Sequence, residues 1–184
     1  MRWILFVIMV YLVIQVQTTV GKVLTVPSTG LGPIGPDLAA IVAVFLALRV
    51  RTVVEVALAS WALGLAVDLS TAAAVGAGTK VGPMALTYVL AGVAVFRMRD
   101  ALFGERVISQ VLLGLVFAAV AHLLWVLLQS LLTGGWEYWW SATCQAMALS
   151  LYTAILAPVG CRMLDRVGRW LVVAPMGRAR RARR

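Results

Sequence analysis

The sequence predicts an all-α integral membrane protein, a bundle of six transmembrane helices. Three observations carry that expectation. The 184 residues are 62% hydrophobic, with a mean hydropathy of +0.98. Only 12% are charged, against about 25% in a soluble domain. The apolar residues fall in runs, and nearly all of the 16 Lys and Arg occupy alternate gaps between them.

The first helix is expected over residues 2–20. Its basic start and apolar centre are those of a signal peptide, but Gln15, Gln17 and Thr18 leave no small-x-small cleavage site before Gly21. Further spans follow, so it reads as a retained helix. Residues 21–36 hold Pro27, Pro33 and Pro36 and read as a loop. Asp37 then stands where it can cap the free N–H groups of a short apolar run over 38–48 that ends at Arg49. That run is well below the roughly 20 residues of a full span.

A third helix is expected over 52–69, with Glu55 on the face of Arg51, one turn further on. Residues 70–83 are small and glycine-rich. A fourth helix covers 81–96 and stops at Arg97-Met98-Arg99-Asp100. The fifth, 107–132, is long enough to span with tilt. Trp136, Glu137, Tyr138, Trp139 and Trp140 form an aromatic belt of the kind found at membrane interfaces. The sixth helix runs from there to about residue 160. The expected organisation is a six-span domain over 1–160 and a basic cytoplasmic segment and tail over 161–184, with Arg162, Asp165, Arg166 and Arg169 on one face.

Charge sets the topology. With six spans and both termini in the cytoplasm, Arg2, Arg49, Arg51, Arg97, Arg99, Arg106 and the C-terminal arginines are inside, and only Lys22 and Lys80 are outside. Omitting the short second helix would send Arg97, Arg99 and the tail outward. The charge bias, rather than hydrophobicity, therefore requires that helix. The net charge of +9 does not indicate nucleic acid: half of the basic residues follow residue 160 and the rest flank apolar runs. Contact with anionic lipid headgroups accounts for them, and the aromatic-basic interleaving of a single-strand binder is missing.

Few residues could carry chemistry. Asp68, near the outer end of the third helix, needs a local partner, because a carboxylate at a helix C-terminus is unfavourable. It is expected to pair with Lys80 or to cap N–H groups after Leu69. His122, the single histidine, has no Cys or carboxylate one turn away, which argues against a metal site and for a neutral ring hydrogen-bonded within the bundle. Gln15, Gln17, Gln129 and Gln145 read as interhelical hydrogen-bonding groups. Gly78 and Gly82 form a small-xxx-small pair suited to close packing. Cys144 and Cys161 lie too far apart along one helix to pair. No nucleophile-elbow, zinc-protease, dithiol or phosphate-loop motif is present. The expectation is a protein that is not an enzyme and needs no cofactor.

Pro36-Asp37-Leu38 before a short helix, the Leu48-Arg49 exit, and above all residues 64–92 resemble the rod shape-determining MreD family. Gly64 and Asp68 match the family's Gly-x-x-x-Asp, followed by Leu69, and Gly76 matches a glycine after the loop; Pro158 and Arg162 match a proline and basic residues of its last helix. The chain departs from the pattern at Ser70-Thr71-Ala72, where a Ser-Gly type of turn is usual, and in a longer arginine tail. The resemblance implies an inner-membrane fold similar to the substrate-binding components of energy-coupling-factor transporters. It implies a non-catalytic role beside the single-span MreC, the actin-like MreB, the RodA glycosyltransferase and a class B penicillin-binding protein.

On this reading Gly64, Gly76 and Gly78 would help lateral packing against a single-span partner. Arg49, Arg51, Arg97, Arg99, Arg162, Arg166 and Arg169 would meet anionic lipids or an acidic surface. An alternative, resting on fold analogy, is a small-molecule-binding transporter component in which Asp68, Lys80, Gln15 and Trp61 converge on a solute.

Overall fold

The computed structural model describes residues 3–28, 32–75, 81–99, 107–134 and 136–171. Among these, six α-helices follow one another: α1 (Trp3–Val23), α2 (Leu38–Arg49), α3 (Val53–Val75), α4 (Pro83–Met98), α5 (Val107–Thr133) and α6 (Trp139–Leu171). Three segments are long and apolar enough to cross a membrane: Val53–Thr71 in α3, Val107–Thr133 in α5, and Trp136–Arg166, which is mostly α6.

The proline-rich stretch after α1 is more ordered than its composition suggests. Val26–Ser28 (β1) and Gly32–Ile34 (β2) form a short antiparallel ribbon, with Val26 opposite Ile34 and Ser28 opposite Gly32. Proline fits such a two-stranded edge because no ladder bond is lost through its missing N–H. The Gln145 side chain of α6 donates to the Pro33 carbonyl at 3.3 Å, and the Tyr152 hydroxyl donates to the Leu24 carbonyl at 3.2 Å. The ribbon thus returns the chain from α1 to the bundle and delivers Asp37 to the start of α2.

The short α2 occupies the centre. Every residue from Ala39 to Ala47 is buried, and α1, α3, α4, α5 and α6 all touch it. Its 12 residues span about 18 Å, less than the roughly 30 Å of a bilayer's hydrocarbon core. A helix that short can sit at membrane depth only if other protein groups meet both of its ends. Ala39, Ala40, Ala43 and Ala47, all fully buried, let the surrounding helices come close.

The two most extensive contacts between elements are the antiparallel pairs α3–α4 and α5–α6. Glycines set the approach of both. A Cβ on Gly114 would come within 2.9 Å of the Ala157 methyl, and a Cβ on Gly64 would meet the Met84 carbonyl oxygen at 2.6 Å. The bundle's outer surface is apolar in turn: Ile4 and Ile108 are each 80% exposed, with Val7, Tyr11, Leu58, Leu131 and Ile155 also outward. So many large apolar side chains turned outward fit a hydrocarbon surround.

Several boundaries differ from expectation. Helix α3 continues past Leu69 to Val75, because Ser70 and Thr71 turn their hydroxyls back to the Val67 carbonyl, at 2.8 and 2.9 Å, and so stay compatible with the helix. Helix α1 runs to Val23 and α6 to Leu171. The latter carries buried Pro158 in its interior and crosses residue 160 without a break.

Candidate functional site

The start of α2 is where the buried polar groups of the bundle meet. Asp37 has an extended backbone, and its side chain accepts the Ala40 N–H at 3.0 Å, the N-cap role expected from the sequence. Buried Pro36 precedes it and has no N–H to satisfy. The Ala39 N–H donates to Gln17 Oε1 on α1, and the Asp37 N–H donates to Thr153 Oγ1 on α6, each at 3.0 Å. These bonds satisfy donors that a helix N-terminus leaves without intrahelical partners.

The second carboxylate oxygen of Asp37 faces the other way. It accepts a hydrogen bond from the Tyr88 hydroxyl on α4 and lies 3.5 Å from His122 Nε2 on α5. The other ring nitrogen, Nδ1, is 2.7 Å from the Ala118 carbonyl oxygen. Tyr88 is fully buried, with Asp37 5% and His122 7% exposed. The Tyr88 ring also stands edge-on to Phe117, with centroids 5.2 Å apart. One carboxylate therefore joins α4 and α5 to the start of α2, while Gln17 and Thr153 bring in α1 and α6.

His122 accordingly has a carboxylate neighbour that local spacing did not reveal. The fold brings it Asp37 from the other half of the chain. Local spacing points to neither Tyr88 nor Thr153. The available signal was a hydroxyl inside an otherwise apolar helix, which must find an acceptor or donor when buried.

Asp68 closes a second junction. Its Oδ2 accepts the backbone N–H groups of Gly82, Met84 and Ala85 at 2.9, 3.1 and 3.2 Å. The N-cap residue of α4 is Gly82, which has no side chain to cap with, so a carboxylate from α3 serves instead. Gly64 lies one turn earlier on the same face of α3, against the Met84 carbonyl and the Ala85 backbone. The Gly-x-x-x-Asp spacing is thus a clasp: glycine admits the α4 backbone and aspartate ties it down.

This geometry corrects two expectations. Among the described residues nothing lies within 4 Å of a Cβ built on Gly82, so none of them packs closely on it; its φ of +125° is what requires glycine. Gly64 is buried between α3 and α4 and offers no surface to a partner span. Gly76, Gly78, Lys80, the Arg169 side chain and the tail over 178–184 lie outside the described residues, and with them the expected Asp68–Lys80 pair.

At the other end of α2, Arg99 donates from Nη1 to the carbonyls of Ala47 and Val50, at 2.9 and 2.5 Å. Its guanidinium stacks 3.9 Å from the Phe96 ring centroid. Arg49 pairs with Asp165 of α6 at 2.6 Å. These contacts bring the C-terminal ends of α2, α4 and α6 together, with Arg51, Arg97, Arg162 and Arg166 exposed around them. Two of the arginines expected to meet lipid or partner are therefore engaged within the bundle.

Of the residues considered for a solute site, the three that are described do not converge. Gln15 and Trp61 are exposed on the outer surface, whereas Asp68 is buried and occupied by three N–H groups. Among the described residues no three His, Cys, Asp or Glu side chains gather as a metal site would require. Comparison of the chain with models of known protein families, with curated proteins and with solved structures finds no match.

Proposed function

We propose that this chain is a non-catalytic membrane scaffold of the cell-wall elongation machinery, an MreD-like protein of the bacterial inner membrane required for rod shape. One observation supports the reading above the others. The two sequence features that carry the resemblance, Pro36-Asp37 and Gly64-x-x-x-Asp68, are both used as helix junctions, and their carboxylates are engaged by protein donors. A scaffold needs its motif residues for this purpose, whereas an enzyme would present some of them to a substrate.

In this reading all six helices cross the bilayer, the short α2 within the shelter of the others. The arginine-bearing end faces the cytoplasm, with both termini there. Exposed Arg51, Arg97, Arg162 and Arg166 meet anionic lipids. A single-span MreC-type protein packs laterally on the outer apolar surface and links the chain to MreB, RodA and a class B penicillin-binding protein. Residues 161–184 form the cytoplasmic basic segment.

Depletion in the rod-shaped native cell, followed by imaging of shape and of new wall insertion, tests this function. Rounding with dispersed wall insertion is expected. Rod growth with unchanged insertion after complete depletion would overturn it.

A further inference from the structure

The contact between His122 and Asp37 fixes more than a position. A carbonyl oxygen only accepts, so the 2.7 Å contact to Ala118 places a proton on His122 Nδ1. In a neutral ring of that tautomer, Nε2 would carry a lone pair. That atom lies 3.5 Å from Asp37 Oδ2, and both residues are more than nine-tenths buried. Two buried lone-pair atoms facing each other is a costly arrangement, so a proton belongs between them.

The surroundings decide which partner holds it. Asp37 accepts the Ala40 N–H on one oxygen and the Tyr88 O–H on the other. It also sits at the positive end of α2. Burial opposes the charged form, but each of these contacts favours the ionised carboxylate. The other groups brought to this point are the neutral Gln17 amide of α1 and Thr153 hydroxyl of α6. On α3 the buried carboxylate is Asp68, already held by the start of α4.

We propose that the start of α2 is a proton-binding site, in which His122 is an imidazolium paired with the Asp37 carboxylate. The bound proton is what fastens α5 to α2. Without it, Asp37 would still cap α2 and hold Tyr88, but His122 would turn from partner to repelling neighbour. This inference stands on the geometry of the pair and does not depend on the scaffold reading.

His122 is the single histidine of the chain, which makes the test selective. The full chain, carrying a tag without histidine, is labelled with ¹⁵N-histidine, placed in lipid vesicles and studied by solid-state NMR. At about pH 8, above the ordinary histidine range, both ring nitrogens are expected to be protonated. Asp37→Asn should return the ring to the neutral form at the same pH, whereas Tyr88→Phe should leave it charged. A wild-type ring with one unprotonated nitrogen at that pH would overturn the proposal. So would a ring that remains charged in folded Asp37→Asn protein. Should that variant fail to fold, the wild-type spectrum alone decides.

Discussion

Arg99 closes the end of α2 by donating to the carbonyl oxygen of Val50 at 2.5 Å. The same guanidinium nitrogen reaches Ala47, so a side chain from α4 satisfies carbonyls that a helix C-terminus leaves open. Together with Asp37 at the other end, it allows a helix of only 12 residues to lie buried at the centre of the bundle. Arg97, two residues earlier, is exposed. The pair separates a structural arginine from a surface one.

Arg99→Ala should therefore lower the unfolding free energy by about 1–3 kcal/mol, the cost of leaving buried carbonyls without a charged donor. Arg97→Ala should stay within about 0.5 kcal/mol of wild type. Thermal unfolding of both variants in the same detergent, followed by circular dichroism, gives the comparison. Equal losses would show that the arginines act only as surface charge.

Gly64→Ala should also destabilise, by about 1–3 kcal/mol, because its Cβ would lie 2.6 Å from the Met84 carbonyl and 2.7 Å from Ala85 Cα. Both atoms are backbone and cannot swing aside. Gly82→Ala should cost about 1 kcal/mol for a different reason, the positive φ. Enlarging position 64 to leucine should abolish recovery of folded protein, while Gly82→Ala should still be recovered, since nothing among the described residues lies within 4 Å of its Cβ. Size-exclusion profiles of the variants after matched expression read this out.

These two glycines show what the sequence made legible. Gly64 and Asp68 stood out by their spacing, and α2 was bounded correctly by Asp37 and Arg49. What periodicity could not give was the setting of α2. Its run is apolar on every side, so no face marks burial, and only the charge count demanded the helix. The Asp37–Tyr88–His122 cluster joins residues far apart in sequence, for which no local spacing exists. The β1–β2 ribbon was hidden by prolines and glycines that usually signal irregular loop, and the last turns of α3 by Ser70 and Thr71, whose hydroxyls bond back to the helix.

Tyr88→Phe removes the hydroxyl that donates to Asp37 while keeping the ring against Phe117. The expected loss is about 1–3 kcal/mol, since the acceptor left behind is a buried carboxylate. Phe117→Leu, which keeps the hydrogen bond and removes the aromatic contact, should cost about 1 kcal/mol. Unfolding in detergent, with the double variant completing a mutant cycle, separates the two contributions. A Tyr88→Phe variant as stable as wild type would contradict the role given to the hub.

On the proposed orientation, a reporter fused after Arg184 that functions only in the cytoplasm should be active. A reporter fused after Thr71, in the outer turns of α3, should be active only if it requires the exterior. The opposite pattern at both positions would invert the bundle.

The central claim is that the motif carboxylates hold the bundle together rather than perform chemistry, and Asp68 tests it most directly. Asn at this position keeps an oxygen that can accept the Gly82, Met84 and Ala85 N–H groups, whereas Ala keeps none. In cells depleted of the native protein, wild type, Asp68→Asn and Asp68→Ala are supplied at matched membrane levels, and cell width is measured alongside the thermal stability of each purified protein. The account predicts that Asp68→Asn restores rod shape and retains most of the stability, while Asp68→Ala loses about 1–3 kcal/mol and fails to restore shape. An Asp68→Asn protein as stable as wild type that leaves the cells round would contradict it, because the charge itself would then be what the cell requires.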